Sequence, residues 1–119
     1  MSKFRLVVLE SPFKASPELV SEADRQACIE RNKAYLDECI HDCIINHKDA
    51  PMASHKLYMD SLDDTDEVER DIGIKCGLAW GELAQAVVVY TDYGISEGMK
   101  IGIAHYEWCG IPVEYRELY

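Results

Sequence analysis

The sequence predicts an α/β fold: a flavodoxin- or Rossmann-like three-layer sandwich built on a parallel sheet, as a single domain over residues 1–119. Three observations predict it. Two short, unbroken apolar runs, Leu6-Val7-Val8-Leu9 and Ala86-Val87-Val88-Val89-Tyr90, have the pattern of strands buried on both faces. Segments of helical periodicity separate the strand-like runs, so strands and helices alternate. The stretch over residues 86–115, AVVVYTDYGISEGMKIGIAHYEWCGIPVEY, reads as strand, polar glycine loop, amphipathic helix and strand, a βαβ unit whose parallel strands need a crossover helix.

The first strand ends at Ser11-Pro12. A polar connection follows over residues 14–24, with Pro17 and three acids. It exceeds the roughly two to six residues usual for a βα loop, and reads either as a lid or as an extension of the next helix. That helix spans residues 26–46. Cys28, Asn32, Tyr35, Leu36, Cys39, Ile40, Cys43 and Ile44 form its apolar stripe, with Asn32 the polar exception. His47 and Lys48 suit its negative end. Pro51-Met52-Ala53-Ser54 is the second strand, with His55 at its exit.

Asp64-Thr65-Asp66-Glu67 opens a helix that runs to about Leu83, its acids suited to the positive end. Val68, Ile72, Cys76, Ala79, Trp80 and Leu83 form one stripe, and Gly73, Gly77 and Gly81 another. Three interior glycines cost roughly 2–3 kcal/mol relative to alanine. Something must therefore come close to that face, either the chain's own sheet or the matching helix of a homodimer. A strand over residues 86–91, a helix over 97–108 and a strand over 111–115 complete the chain. Right-handed crossovers with a switch point between the first and third strands give the spatial order 2-1-3-4.

Composition excludes several function classes. Twelve Lys and Arg face 22 Asp and Glu, a net charge of -10, which repels nucleic acid polymers and anionic membranes. Seven carboxylates (Asp60, Asp63, Asp64, Asp66, Glu67, Glu69, Asp71) crowd residues 60–71, with Arg70 the lone cation among them. No apolar run approaches the ~20 residues of a membrane span, and the N-terminal run is too short for a signal peptide. The odd count of five cysteines, none in a C-x-x-C pair, fits free, buried thiols in a cytoplasmic protein. Cys39, Cys43 and His47 share helical spacing, but two of them belong to the core stripe, so neither a metal nor another cofactor is expected.

The switch point locates a ligand site, because ligands of open α/β sheets bind beyond the C-terminal strand ends. Glu10, Ser11 and Phe13 should face Asp92, Tyr93, Ser96 and Gly98, with His55 on the rim and Asn32 nearby. The amides of residues 96–99, ending at Met99, open the last helix and suit a phosphate or carboxylate. Ser96 either caps that helix or bonds the anion. Glu10 directly follows four apolar residues. Burial would raise its pKa and fit it for general acid–base chemistry; the alternative is a structural carboxylate bonded to backbone amides.

With these residues the chain resembles the nucleoside 2-deoxyribosyltransferase superfamily, and within it a small phage and bacterial subfamily. The resemblance rests on VVLESPF (7–13), RNKAYLDECI (31–40), APMASHKLY (50–58), LDDTDEVERDIGIKCGLAWG (62–81), VVVYTDYGISEGMKIGIAH (87–105) and GIPVEYREL (110–118). It implies a flavodoxin-like sheet and a 2′-deoxynucleoside or 5′-monophosphate substrate. It also implies a glutamate nucleophile four residues after the loop glycine, a phosphate-binding serine matched by Ser96, and a histidine after the second strand matched by His55. Counting four from Gly98 reaches Gly102, so the nucleophile is missing here, and Glu10 with Asp92 are the carboxylates left to replace it. Two functions follow: an enzyme acting on an N-glycosidic bond, or a non-catalytic sponge for a nucleotide or ADP-ribose-like signal.

Overall fold

The computed structural model describes residues 3–58, 61–63 and 65–119. Asp60 and Asp64, two of the seven clustered carboxylates, lie outside the described residues. The strands are β1 (Arg5–Glu10), β2 (Asp49–Met52), β3 (Ala86–Tyr90) and β4 (Val113–Arg116). The helices are α1 (Glu22–His47), α2 (Ser54–Tyr58), α3 (Glu67–Gly81) and α4 (Glu97–Trp108). All strand pairings are parallel, in the order β2-β1-β3-β4, as the crossover argument requires.

Alternation along the central strands divides the core into two layers. Val7, Leu9, Val88 and Tyr90 meet Tyr35, Leu36, Cys39 and Cys43 of α1 on one face. On the other face Val8, Val87 and Val89 meet Met99, Ile103 and Tyr106 of α4, with Leu78 of α3 against them. Ser21 caps α1 by accepting the Asp24 amide through its side chain, and Lys48 ends it in the left-handed conformation at φ 54°. The helix thus begins four residues earlier than its apolar stripe suggests, and the long connection shortens accordingly.

Three sequence expectations need correction. Residues 54–58 form the short helix α2, so the second strand stops at Met52 and His55 rides on a helix. The faces of α3 are reversed: Val68 and Trp80 are 68% and 59% exposed, and Leu83, just past the helix end, is 73% exposed. Its glycine face turns inward instead, where a Cβ on Gly73 would strike Leu62, one on Gly77 would strike Ser54, and one on Gly81 would strike the Tyr106 ring. The close approach that Gly73, Gly77 and Gly81 permit is therefore within the chain rather than across a dimer axis, and Tyr106 Oη donates to the Gly77 carbonyl at 3.2 Å. Finally, only Cys28, Cys39 and Cys43 are buried; Cys76 is half-buried and Cys109 exposed. Among the described residues no helix is long and apolar enough to cross a membrane.

Opposite charges close one part of the sheet. Asp49 accepts from Arg5 Nε at 3.2 Å and from Arg116 Nη2 at 2.7 Å. Glu114 accepts from Arg5 Nη1 at 2.6 Å, and Arg116 Nη1 donates to Tyr90 Oη at 3.3 Å.

Candidate functional site

A cavity of about 620 Å³ opens beyond the C-terminal ends of β1 and β3. Its walls come from the β1–α1 loop, the starts of α2 and α4, and the inner face of α3. The glycines of α3 and α4 let those helices close on this space.

Glu10 forms part of the cavity wall. Burial alone pushes its carboxyl up to about 8, so it holds its proton at neutral pH. Its position is tied to Gly102, because a Cβ on Gly102 would stand 2.5 Å from Glu10 Oε1 and 3.2 Å from its Cδ. Those distances leave room for glycine and nothing larger while Glu10 keeps its place. The Glu10 carboxyl of β1 thus occupies the space that a side chain at position 102 of α4 would need.

Ser11 and His55 lie beside it. Ser11 is 4% exposed, and its Oγ is 3.0 Å from His55 Nε2. Burial, with a smaller effect of Lys56, lowers His55 to about 4. The ring is therefore neutral at pH 7, and its hydrogen-bond direction to Ser11 follows its tautomer. Phe13 meets the imidazole edge-on at 6.1 Å between ring centres. Between about pH 4 and about pH 8 both His55 and Glu10 are uncharged.

The cavity rim differs. Lys14, Arg31 and Arg70 line it and are exposed. The Arg31 guanidinium lies 4.0 Å from the centre of the Tyr93 ring, a cation–π contact that holds it next to the loop before α4. Here Ser96 is the N-cap, its Oγ accepting the Met99 amide at 3.3 Å. The Ser96 amide donates to Met99 Sδ at 3.4 Å, which fixes Met99 in the core. The amides of Glu97 and Gly98 donate to nothing among the described residues. A Cβ on Gly98 would meet only Ser96 Oγ, at 4.0 Å. The helix start is thus open toward the cavity, with free N–H groups and the positive dipole end available to an anion.

Glu10, Ser11, Phe13, Asn32, His55, Tyr93, Ser96, Gly98 and Met99 all line the cavity. Asn32 does so as a brace. Its Nδ2 donates to the carbonyls of Phe13 and Lys14 at 3.1 and 3.2 Å, and its Oδ1 accepts from Arg31. Asp92 is a correction: it is absent from the cavity wall. Its carboxylate accepts from Tyr35 Oη at 2.6 Å and from the amides of Leu118 and Tyr119 at 2.8 and 3.1 Å. Partial burial would raise its pKa, and those hydrogen bonds outweigh it and lower it.

Lys14, Arg31, Arg70, Tyr58, Gly102 and Tyr106 also line the cavity. Two carried a signal in the sequence. Arg70 is the lone cation of an acidic run, and Gly102 is a helix-interior glycine, a position that calls for a close neighbour.

The chain belongs to the family described as a domain of unknown function (DUF7768), whose model matches residues 5–116. No curated protein matches the chain, and no solved structure does.

Proposed function

We propose that this protein binds a nucleotide or nucleoside and acts on the N-glycosidic bond of a (deoxy)nucleoside or its 5′-monophosphate. The observation that carries the reading is the protonated Glu10 carboxyl in the space left by Gly102. The cavity falls within the ~300–1,000 Å³ range of small-molecule sites. Phe13, Tyr58 and Tyr93 offer apolar surface for a base, while Arg31, Lys14 and the open amides of α4 suit a phosphate. In this reading Glu10 acts as a general acid. As the C1′–N bond breaks, its proton passes to the departing base nitrogen. A water oxygen bonds to C1′ of the oxocarbenium-like sugar, and the surplus water proton leaves to solvent.

A second reading, a non-catalytic sponge for a nucleotide or ADP-ribose-like signal, possesses its own support. Asp92 is committed to Tyr35 and the C-terminal tail, so of the two carboxylates expected to act, only Glu10 lines the cavity. The phage context belongs to the resemblance. A cytoplasmic location and a homodimer complete the proposal, with the exposed Val68, Ile72 and Trp80 of α3 and Leu83 just beyond it replacing the glycines as the contact.

The test incubates the protein and its Glu10→Gln variant with a nucleotide panel and measures both released base and retained ligand by mass spectrometry. The enzyme reading expects base release by the wild type, its loss in Glu10→Gln, and affinity kept within roughly tenfold, or ~1.4 kcal/mol. Intact nucleotide retained by the wild type supports the sponge. Neither release nor retention removes both.

A further inference from the structure

We propose that Glu82, His105 and Cys109 form a transition-metal site of the zinc class, on the surface and independent of the cavity. One ligand atom from each residue lies within 4.8 Å of the others. His105 Nε2 is 3.0 Å from Glu82 Oε1 and 3.7 Å from Cys109 Sγ. Zinc bonds to nitrogen, oxygen and sulfur at about 2.0–2.3 Å, which in a tetrahedron sets ligand atoms roughly 3.3–3.6 Å apart. The two short distances bracket that spacing, and the exposed Glu82 side chain can close the third by rotation.

The backbone arrangement favours a cation at the same place. Glu82 is the C-cap residue of α3, and Cys109 is the C-cap residue of α4. Two helices therefore bring their negative ends to one point. His105 and Cys109 are four residues apart on α4, so they share a face. The imidazole, thiolate and carboxylate set suits zinc, cobalt or nickel rather than magnesium or calcium. On binding, the Cys109 thiol gives its proton to solvent and His105 ligates through neutral Nε2. Three protein ligands leave the fourth position to water. The metal would also clamp α3 to α4 behind Tyr106, whose ring meets His105 edge-on at 5.3 Å and lines the cavity from its other side.

The test titrates the full chain, reduced and freed of metal, with cobalt(II) and then zinc(II). One cobalt per chain is expected, with a thiolate-to-cobalt charge-transfer band and tetrahedral d–d absorption, displaced by one equivalent of zinc. Cys109→Ser should abolish the charge-transfer band, and either Cys109→Ser or His105→Gln should weaken zinc binding by roughly tenfold or more. Cys76→Ser should leave both unchanged. Cobalt binding without the charge-transfer band, zinc affinity indifferent to Cys109→Ser and His105→Gln, or no binding at micromolar concentrations each overturns the proposal. The exposed Cys109 makes serine a mild change for folding, and none of these readouts depends on turnover at Glu10.

Discussion

Asp49 and Glu10 are both acids drawn into the interior by neighbouring strands, one at the start of β2 and the other at the end of β1, yet their surroundings are opposite. Asp49, 1% exposed, receives two guanidinium groups, Arg5 and Arg116. Among the described residues Glu10 receives no cation, and burial raises its pKa without opposition. A buried charge costs several kcal/mol unless it is paired, or else it neutralises by taking up a proton. Asp49 follows the first course and Glu10 the second. The paired acid closes the fold. The protonated one stands in a cavity with its side chain bonded to none of the described residues, as a group awaiting a ligand would be.

The largest effect expected from this comparison is on the paired acid. Arg116 is almost buried and binds Asp49, Glu114 and Tyr90 together. Arg116→Ala leaves Asp49 with Arg5 alone and opens a gap beside Tyr90, so a loss of about 3–5 kcal/mol is expected in urea unfolding. A loss below ~1 kcal/mol would put the cluster with ordinary surface pairs and erase the contrast.

Next comes the pH dependence of the unpaired groups. The Glu10 carboxyl titrates near 4.5 when unfolded and at about 8 when folded. Between those values the folded state holds more protons, so stability falls as pH rises. It is undiminished below about 4.5, and the loss is complete above about 8. At roughly 1.4 kcal/mol per pH unit the loss amounts to a few kcal/mol. Glu10→Gln should therefore match the wild type in acid and exceed it near about pH 9. His55 runs the other way: its folded value of about 4 lies below the ordinary 6.5, so its stabilising contribution is present above 6.5 and lost as pH falls toward 4. Thermal unfolding across pH checks both slopes. A wild type with no alkaline loss removes the protonated Glu10.

Much of this architecture is legible in the sequence because it depends on local pattern. The apolar runs of β1 and β3 read as buried strands because they are short and alternate with helical segments, and right-handed crossovers with a switch point between them then give the strand order. Periodicity finds the two stripes of α3 but carries no sign. The glycines lie inward because the Tyr106 ring and Ser54 fill that side, and both come from other elements. The Glu10–Gly102 fit joins residues on separate elements, β1 and α4. Read alone, Gly102 is a helix-interior glycine with no evident purpose; read against β1, it marks the room that the Glu10 carboxyl needs. Asp92 misleads for a related reason. Its strand-end position resembles that of Glu10, and only Tyr35 of α1 and the returning C-terminal tail show that its oxygens are taken.

The smallest expected effect tests that last distinction. Asp92→Asn keeps the size of the side chain but gives up one acceptor oxygen. Its Oδ1 can still accept from Tyr35 Oη and the Leu118 amide, while its new NH₂ group would face the Tyr119 amide, donor against donor. Losing one such bond costs ~1 kcal/mol, and the tail can relax because Tyr119 is exposed. Urea unfolding should show that modest loss. Nucleotide affinity by calorimetry and base release should be unchanged, since Asp92 lies outside the cavity wall. If Asp92→Asn instead preserves stability and abolishes ligand binding or base release, then Asp92 belongs to the chemistry beside Glu10. In that case the division between a carboxylate that builds the fold and one that serves the ligand does not hold at the ends of β1 and β3.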